Sequence, residues 1–499
     1  MKLILTFDVG TTSVKTNIYD GEFKVLGSSI EEYQLSTSGN RVELPAHYYW
    51  DACRNGITQA CELAAISPGK IDAIAVTTQG ETLISVDKQG NILRNAIVWL
   101  DGRADKESEI IRQKYSNEEF YLITGQPECT GLTPLSKLLW IKFNEPEIYE
   151  NTHKFLLLED YIIYCLTGKF VTEKSLMSST GYFDIRGDKL WGEILEELGL
   201  DIGKIPDIME SGEIVSEISA NVARETGLNP RAVTVTAAMD QIAAAIGSGN
   251  ITEGTITETN GTALVIAYTS RSLPATATPI TVYRHAISGS YLYLAVCMTS
   301  GIILKWFKDE FCGEEVELSR KKGVSVYEIL GNVADSVSAL GSSLVLLPYF
   351  TGVIQPDNNP RAKGVFFGVG LETKKKHFIR SIFESVGYML KENILLIETF
   401  YGKEIDQIRL LGGGAKSRVW SRIKADICRK DVCIMAETEC TSLGTAMLAA
   451  LAMGWIKNLD AEPFNRIIET LRPQTRDKAV YDKGFEIYTQ IYSRLKELF

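Results

Sequence analysis

The feature that most constrains the fold is a strand–turn–strand pattern that occurs twice. Near the N-terminus the chain reads Leu3-Ile4-Leu5-Thr6-Phe7-Asp8-Val9-Gly10-Thr11-Thr12-Ser13-Val14-Lys15. Near the middle it reads Gly254-Thr255-Ile256-Thr257-Glu258-Thr259-Asn260-Gly261-Thr262-Ala263-Leu264-Val265-Ile266. In each, β-branched and apolar runs flank a Gly-Thr turn, where glycine permits positive φ and the turn exposes backbone N–H groups and hydroxyls. A single hairpin of this kind is ordinary in an α/β protein. Two of them, facing each other, could grip a polyphosphate.

With 499 residues, the chain exceeds what one hydrophobic core serves, so at least two domains are expected. Short β-rich runs at 3–7, 71–77, 233–237, 344–347 and 408–411 alternate with helical periodicity, predicting an α/β architecture. The helical pattern is clearest at Val419, Ile423 and Ile427, and at Phe485, Tyr488, Ile491, Leu495 and Leu498. Gly247-Ser248-Gly249-Asn250 breaks a helical run just before the second hairpin, predicting domains at 1–246 and 247–499.

Composition removes several function classes. The 52 Lys and Arg stand against 63 Asp and Glu, a net charge of -11 that disfavours nucleic acid and anionic membrane partners. No run approaches the roughly 18 apolar residues of a membrane span. The nine cysteines are scattered without a C-x-x-C pair, and the four histidines lack metal-ligand spacing. Disulfide scaffolds, structural zinc and histidine catalysis are therefore poor fits. The opening apolar run is too short for a secretory signal, so a cytoplasmic protein is expected.

Gly412-Gly413-Gly414-Ala415-Lys416-Ser417 is neither a Walker A motif nor a G-x-G-x-x-G fingerprint, yet it joins a strand to a helix and lets a ligand approach the backbone. Asp8 ends the first strand beside hydroxyls, which suits a hydrated Mg²⁺ and phosphates; an Asx-turn is the plain alternative. Asp240 follows an apolar strand and precedes an alanine-rich helix, where it can cap the helix or accept a proton. Gln79-Gly80-Glu81-Thr82 and Trp99-Leu100-Asp101-Gly102-Arg103 combine aromatic, acidic, amide and guanidinium groups, the equipment for a polyol.

In this order the segments resemble the FGGY carbohydrate kinase family over essentially the whole chain. Asp8-x-Gly10-Thr11-Thr12-Ser13, with Lys15, is similar to its first phosphate loop, and Asn260-Gly261-Thr262 to its second. Trp99-x-Asp101-x-Arg103 resembles a sugar-side segment, and Met239-Asp240-Gln241 the stretch carrying a catalytic base. The most specific match is Gly364-Val365-Phe366-Phe367-Gly368-Val369, followed by His377-Phe378 and Ser381-Ile382-Phe383-Glu384. The resemblance implies two RNase H-like domains of the actin and hexokinase ATPase type, with ATP and sugar meeting in a cleft between them. It further implies Asp240 as general base, with Asp8 and Asp240 near Mg²⁺. Thr11, Thr12, Ser13, Lys15, Gly261, Thr262, Gly301, Lys305, Gly413, Gly414, Ala415 and Arg418 would lie on the ATP side. Gln79, Gly80, Glu81, Trp99, Asp101, Arg103, Asp240 and Gln241 would lie on the sugar side.

The substrate implied is a small sugar or polyol phosphorylated at a primary hydroxyl. Glycerol kinases resemble the chain at Gln79-Gly80-Glu81-Thr82 but carry an arginine where Gly80 stands, and an aromatic hydroxyl in the stretch matching Gly131-Leu132-Thr133-Pro134. Xylulose kinases resemble it in the triple-glycine segment but carry Met-His where Gly80-Glu81 stand. A pentulose such as xylulose or ribulose is the expectation, with glycerol or another polyol as the alternative. A sugar-independent ATPase of the actin or chaperone type, or a catalytically silent sensor, would represent a different class. A homodimer is compatible with the resemblance, although the sequence carries no coiled-coil heptad.

Overall fold

The computed structural model describes residues 2–355 and 358–499. The chain forms two compact units. The first comprises Met1–Ile251, Ser270–Leu292 and Cys440–Phe464; the second comprises Thr252–Thr269, Tyr293–Glu439 and Asn465–Phe499. A single division at 246/247, as expected from the glycine-rich break, therefore does not separate them: two later segments return to the first unit.

The central sheet of the first unit runs in the order Ile214–Glu217, Val233–Thr236, Ala73–Thr78, Ile4–Val9, Ser13–Tyr19, Val25–Glu32. The other large sheet runs in the order Ile467–Leu471, Asp431–Met435, Gln407–Leu411, Thr255–Asn260, Leu264–Ser270, Tyr291–Cys297, Thr281–Arg284. The first six strands of this order correspond one for one to the six of the other sheet, and Thr281–Arg284 is added at the edge. Ile4–Val9 pairs antiparallel with Ser13–Tyr19 and parallel with Ala73–Thr78, placing Val9 opposite Val14 and Thr78. Thr255–Asn260 likewise pairs antiparallel with Leu264–Ser270 and parallel with Gln407–Leu411. The repeated hairpins are thus the centres of two RNase H-like sheets, each beside a parallel strand that ends in a polar loop, at Gln79 and at Gly412.

The first unit's core is built from alternate faces of these strands, with Leu5, Phe7, Val9, Ile74 and Val76 completely buried. Helix His47–Ala64 adds Tyr49, Cys53, Ile57 and Ala60, an apolar stripe at helical spacing. The return of Cys440–Phe464 has a steric explanation. Helix Cys440–Ala452 packs on helix Asp240–Gly247 so closely that a Cβ at Gly444 would lie 1.9 Å from the Ala243 carbonyl oxygen, and one at Gly247 2.1 Å from that of Cys440. Only glycine allows this approach, which fixes the helix that begins at Asp240.

In the second unit the C-terminal sequence signature is a packing device. Val365–Phe367 pairs antiparallel with Val345–Leu347, and the Phe366 ring meets Phe378 edge-on at 5.1 Å. Glu384 is buried, bound to Arg380 at 2.7 Å and accepting the Leu340 N–H at 3.0 Å. The periodic segments near 419–427 and 485–495 are the helices Arg418–Cys428 and Lys478–Leu495, whereas Leu498 lies beyond the second helix and is exposed. Among the described residues no helix is long and apolar enough to cross a membrane, and the nine cysteines are free thiols.

Candidate active site

Asp8 lies one residue before the end of strand Ile4–Val9, opposite Lys15 in the antiparallel pair and Thr77 in the parallel one. The turn that follows is closed by the Gly10 N–H donating to the Ser13 carbonyl at 2.9 Å. Tyr33, outside the sequence expectation, supports it from below: its N–H donates to the Thr12 carbonyl and its hydroxyl to that of Gly10. Thr12 is exposed at the tip.

The two sugar-side segments and this turn form one hydrogen-bonded assembly. Thr11 Oγ1 donates to Gln79 Oε1 at 3.0 Å and accepts from Trp99 Nε1 at 3.0 Å. Gln79 Nε2 donates to Thr82 Oγ1, which also accepts the Trp99 N–H, each at 3.1 Å. Gly80 lies against the turn before Asp240, where a Cβ would come within 3.3 Å of Met239 Sδ.

Asp101 and Arg103, expected on the sugar side, are bound to one another in the structure. Asp101 is fully buried and accepts from Arg103 Nε at 2.8 Å, from its Nη2 at 2.6 Å and from the Val42 N–H. Arg103 also reaches Glu43 at 2.7 Å and lies over the Trp140 ring at 4.9 Å. Their side chains lock the loop that carries Trp99.

Lys137 was missed in the sequence because it reads as one polar position in the apolar helix Pro134–Asn144. It is completely buried, and its Nζ donates to the carbonyls of Val98 at 3.1 Å, Trp99 at 3.2 Å and Glu81 at 3.4 Å, tying the two sugar-side segments together. Burial pushes the Glu81 carboxyl up, and the Lys137 charge opposes this. Glu81 has φ 56°, the left-handed region in which a side chain is strained. Tyr283, in the strand Thr281–Arg284 and outside the sequence expectation, has its phenol pushed up by burial and then by the charges of Glu81 and Asp240.

Asp240 is the first residue of helix Asp240–Gly247; the N-cap is Met239. It does not cap the helix through its third or fourth amide, but accepts the N–H of its neighbour Gln241 at 2.6 Å. Burial is the main reason its carboxyl is pushed up to about 7, with the negative charges of Asp8 and then Glu81 adding to it. Like charges converging on a buried carboxylate raise its proton affinity.

In the second unit the Gly261 and Thr262 turn is exposed. Its carbonyls are held from behind: Gly301 N–H donates to Gly261 O at 3.0 Å and Ser300 N–H to Thr262 O at 3.0 Å. A Cβ at Gly301 would meet Gly261 O at 2.4 Å, so this glycine is needed for loop packing. Gly413 is open, while a Cβ at Gly414 would press on the Asn260 side chain at 2.7 Å, which couples the triple-glycine turn to the hairpin loop. Ala415 is buried. Lys305 pairs with Asp309 at 2.7 Å and Arg418 with Glu469 at 2.7 Å, both away from these loops' backbone hydrogen bonds.

A duplicated RNase H-like fold with a polar loop at each central hairpin, and acidic groups converging beside one of them, has the build of an ATP-dependent carbohydrate kinase. Residues 3–247 match the N-terminal domain, and residues 258–453 the C-terminal domain, of the FGGY family of carbohydrate kinases, and the chain belongs to this family. It is 28% identical to a xylulose kinase of Bacillus subtilis over 100% of this chain and 98% of the relative. It is also 28% identical to a gluconokinase of the same organism, over 92% and 89%. The fold is similar to that of a ligand-bound xylulose kinase from Lactobacillus acidophilus, with a TM-score of 0.90, 24% identity and coverage of 99% of both chains.

Proposed function

We propose that this kinase transfers the γ-phosphate of ATP to a primary hydroxyl of a pentulose of the xylulose or ribulose type, with Asp240 as general base. The carrying observation is the convergence of the Asp8 and Glu81 charges on the Asp240 carboxyl at the start of helix Asp240–Gly247, which together with burial pushes that carboxyl up. A base is most effective when its proton affinity lies near the working pH. Phosphoryl transfer otherwise depends mainly on alignment and on donors around the transferring oxygens. Thr11, Thr12, Ser13 and Lys15 would provide such donors, and by the family resemblance Gly261 and Thr262 would do the same, with Gly413 and Gly414 bordering the adenosine.

Two carboxylates whose charges oppose one another suit a divalent cation that keeps most of its waters, which describes Mg²⁺. Asp8 and Asp240 would hold it, and when bound with ATP it neutralises phosphate charge. Asp240 accepts the proton of the substrate hydroxyl; before a cation binds, burial and the charges of Asp8 and Glu81 raise its proton affinity. We place the reaction in the cytoplasm.

The choice of substrate rests on charge. Asp8, Glu81 and Asp240 create an acidic site that favours a neutral, hydroxyl-rich molecule over a sugar acid such as gluconate, and Arg103 is closed in its pair with Asp101. Similarity to the Bacillus subtilis xylulose kinase along the full chain supports the same choice. Glu81 is the sugar-recognition residue in this reading, because a left-handed Glu costs ~1–2 kcal/mol that glycine would not, and such strain persists where a side chain has a use. Glu81→Gly is expected to leave the melting temperature unchanged or slightly raised while increasing sugar KM at least ~10-fold, the loss of a charge-assisted hydrogen bond. An unaltered KM removes Glu81 from recognition.

The decisive experiment is ADP release with xylulose, ribulose, glycerol, gluconate and no sugar, with the product position read by NMR. The expected result is pentulose-dependent release with phosphate on a primary carbon. Preference for gluconate or glycerol overturns the substrate, and equal release without sugar overturns the kinase reading in favour of a plain ATPase.

A further inference from the structure

The three residues before Asp240 are each gripped by a buried side chain from a different element. Ala237 N–H donates to Glu159 Oε1 at 3.0 Å, from helix Leu158–Thr167. The Ala238 carbonyl accepts from Thr77 Oγ1 at 2.5 Å, from strand Ala73–Thr78. Met239 N–H donates to Ser175 Oγ at 3.1 Å, from helix Lys174–Met177. Thr77, Glu159 and Ser175 are all completely buried, as is Glu173 behind them.

The Met239 N–H can only donate, which fixes the direction of the Ser175 contact, and Glu173 holds the Ser175 hydroxyl in place to receive it. This carboxylate accepts from Ser175 Oγ at 2.6 Å, Ser175 N–H at 2.7 Å, Leu176 N–H at 2.5 Å and the Ser211 hydroxyl. Four donors on one carboxylate leave it acceptor-only. The single proton of Ser175 is therefore committed to Glu173, and its oxygen can only accept from Met239. Burial, then the charge of Glu173, pushes the neighbouring Glu159 carboxyl up, and burial pushes Glu173 up as well, opposed by its hydrogen bonds from Ser175, Ser211 and Leu176.

We propose that Thr77, Glu159 and the Glu173–Ser175 pair form a clamp on residues 237–239 whose task is to position Asp240 for the phosphoryl-acceptor step. The proposal rests on the reading of Asp240 as the base. None of the four touches the substrate in this scheme; they are positioning residues. Their action is geometric, since a displacement of about 1 Å in a reacting group can cost ~10²-fold in rate, and the clamp grips the turn just before a helix that is already pinned by close contact with Gly444.

The test compares Ser175→Ala and Thr77→Val, each nearly isosteric, with Asp240→Asn and with the Asp240→Asn/Ser175→Ala double variant. kcat, KM for sugar and for ATP, and melting temperature are measured in the full-length protein. Each single clamp variant is expected to lower kcat ~10- to 10²-fold with ATP KM within ~3-fold. In the Asp240→Asn background the Ser175 change should alter the residual rate by less than ~2-fold, because the positioned group is already gone. Wild-type kcat in both clamp variants, beside an inactive Asp240→Asn, overturns the clamp and leaves the base intact. An equal loss in the Asp240→Asn background also overturns it, since that marks general damage. Full turnover by Asp240→Asn removes the base reading on which the clamp depends. If Ser175→Ala fails to fold, Thr77→Val carries the same comparison.

Discussion

Asp240→Asn is expected to lower turnover by at least ~10²-fold, the lower range for loss of a general base, with ATP affinity within a few-fold of wild type. Asparagine retains the size of the side chain and can still accept the Gln241 N–H, so the start of helix Asp240–Gly247 should persist. What disappears is the proton acceptor, together with the repulsion from Asp8 and Glu81 that raises its proton affinity. The neutral side chain relieves that repulsion, so the melting temperature should hold or rise while catalysis falls. Opposite signs for stability and activity distinguish a catalytic carboxylate from a structural one. Single-turnover measurements at saturating ATP and sugar provide the check, and turnover near wild type would remove Asp240 from the chemistry.

The second large effect concerns stability and lies in the other unit. Glu258 Oε1 and Lys424 Nζ are 2.6 Å apart with both side chains fully buried, joining strand Thr255–Asn260 to helix Arg418–Cys428. Burial pushes the Glu258 carboxyl up and Lys424 opposes it; among the described residues Glu258 Oε2 has no hydrogen-bond partner. Removing one member leaves a buried, uncompensated group, which typically costs ~3–5 kcal/mol. Lys424→Met should therefore lower the unfolding transition by on the order of 10 °C for a domain of this size. Glu258→Met with Lys424→Met should recover most of the loss, because two apolar side chains of similar volume replace an expensive pair. Calorimetry of both variants tests this; a single variant within about 2 °C of wild type would show that the pair is not coupled to folding. Glu258 stands two residues before Asn260, and Asn260 Oδ1 accepts from Ser300 at 2.8 Å, so the weakened variant should also bind ATP less tightly.

The sequence exposed elements whose cause is local. The hairpins at Asp8–Lys15 and Glu258–Leu264 were visible because a Gly-Thr turn between β-branched runs dictates its own conformation through neighbouring residues. Strands 73–78, 233–236 and 407–411 were readable to within one or two residues for the same reason. Asp240 could be singled out as a carboxylate at a strand end, but its two roles, cap or base, could not be separated. The structure removed the first by assigning the N-cap to Met239.

Groups whose character depends on distant parts of the chain were not legible. Nothing local in the sequence says that Asp101 and Arg103 close on each other and on Val42 and Glu43. Lys137 reads as one polar position in an apolar helix, and nothing local says that three carbonyls surround it. Ser175, Glu159 and Thr77 converge on 237–239 from positions 64 to 161 residues away.

By itself, the sequence determined the duplicated hairpin, the α/β class and the order of polar loops, since these follow from turn chemistry and side-chain periodicity over a few residues. Only the tertiary structure decided which polar side chains are committed to one another. It also returned Ser270–Leu292 and Cys440–Phe464 to the first unit. The physical reason is that burial, close glycine contacts and convergent charge are properties of neighbours in space: Gly444 is required by the Ala243 carbonyl, and Asp240 acquires its high proton affinity from burial and from Asp8, far away along the chain.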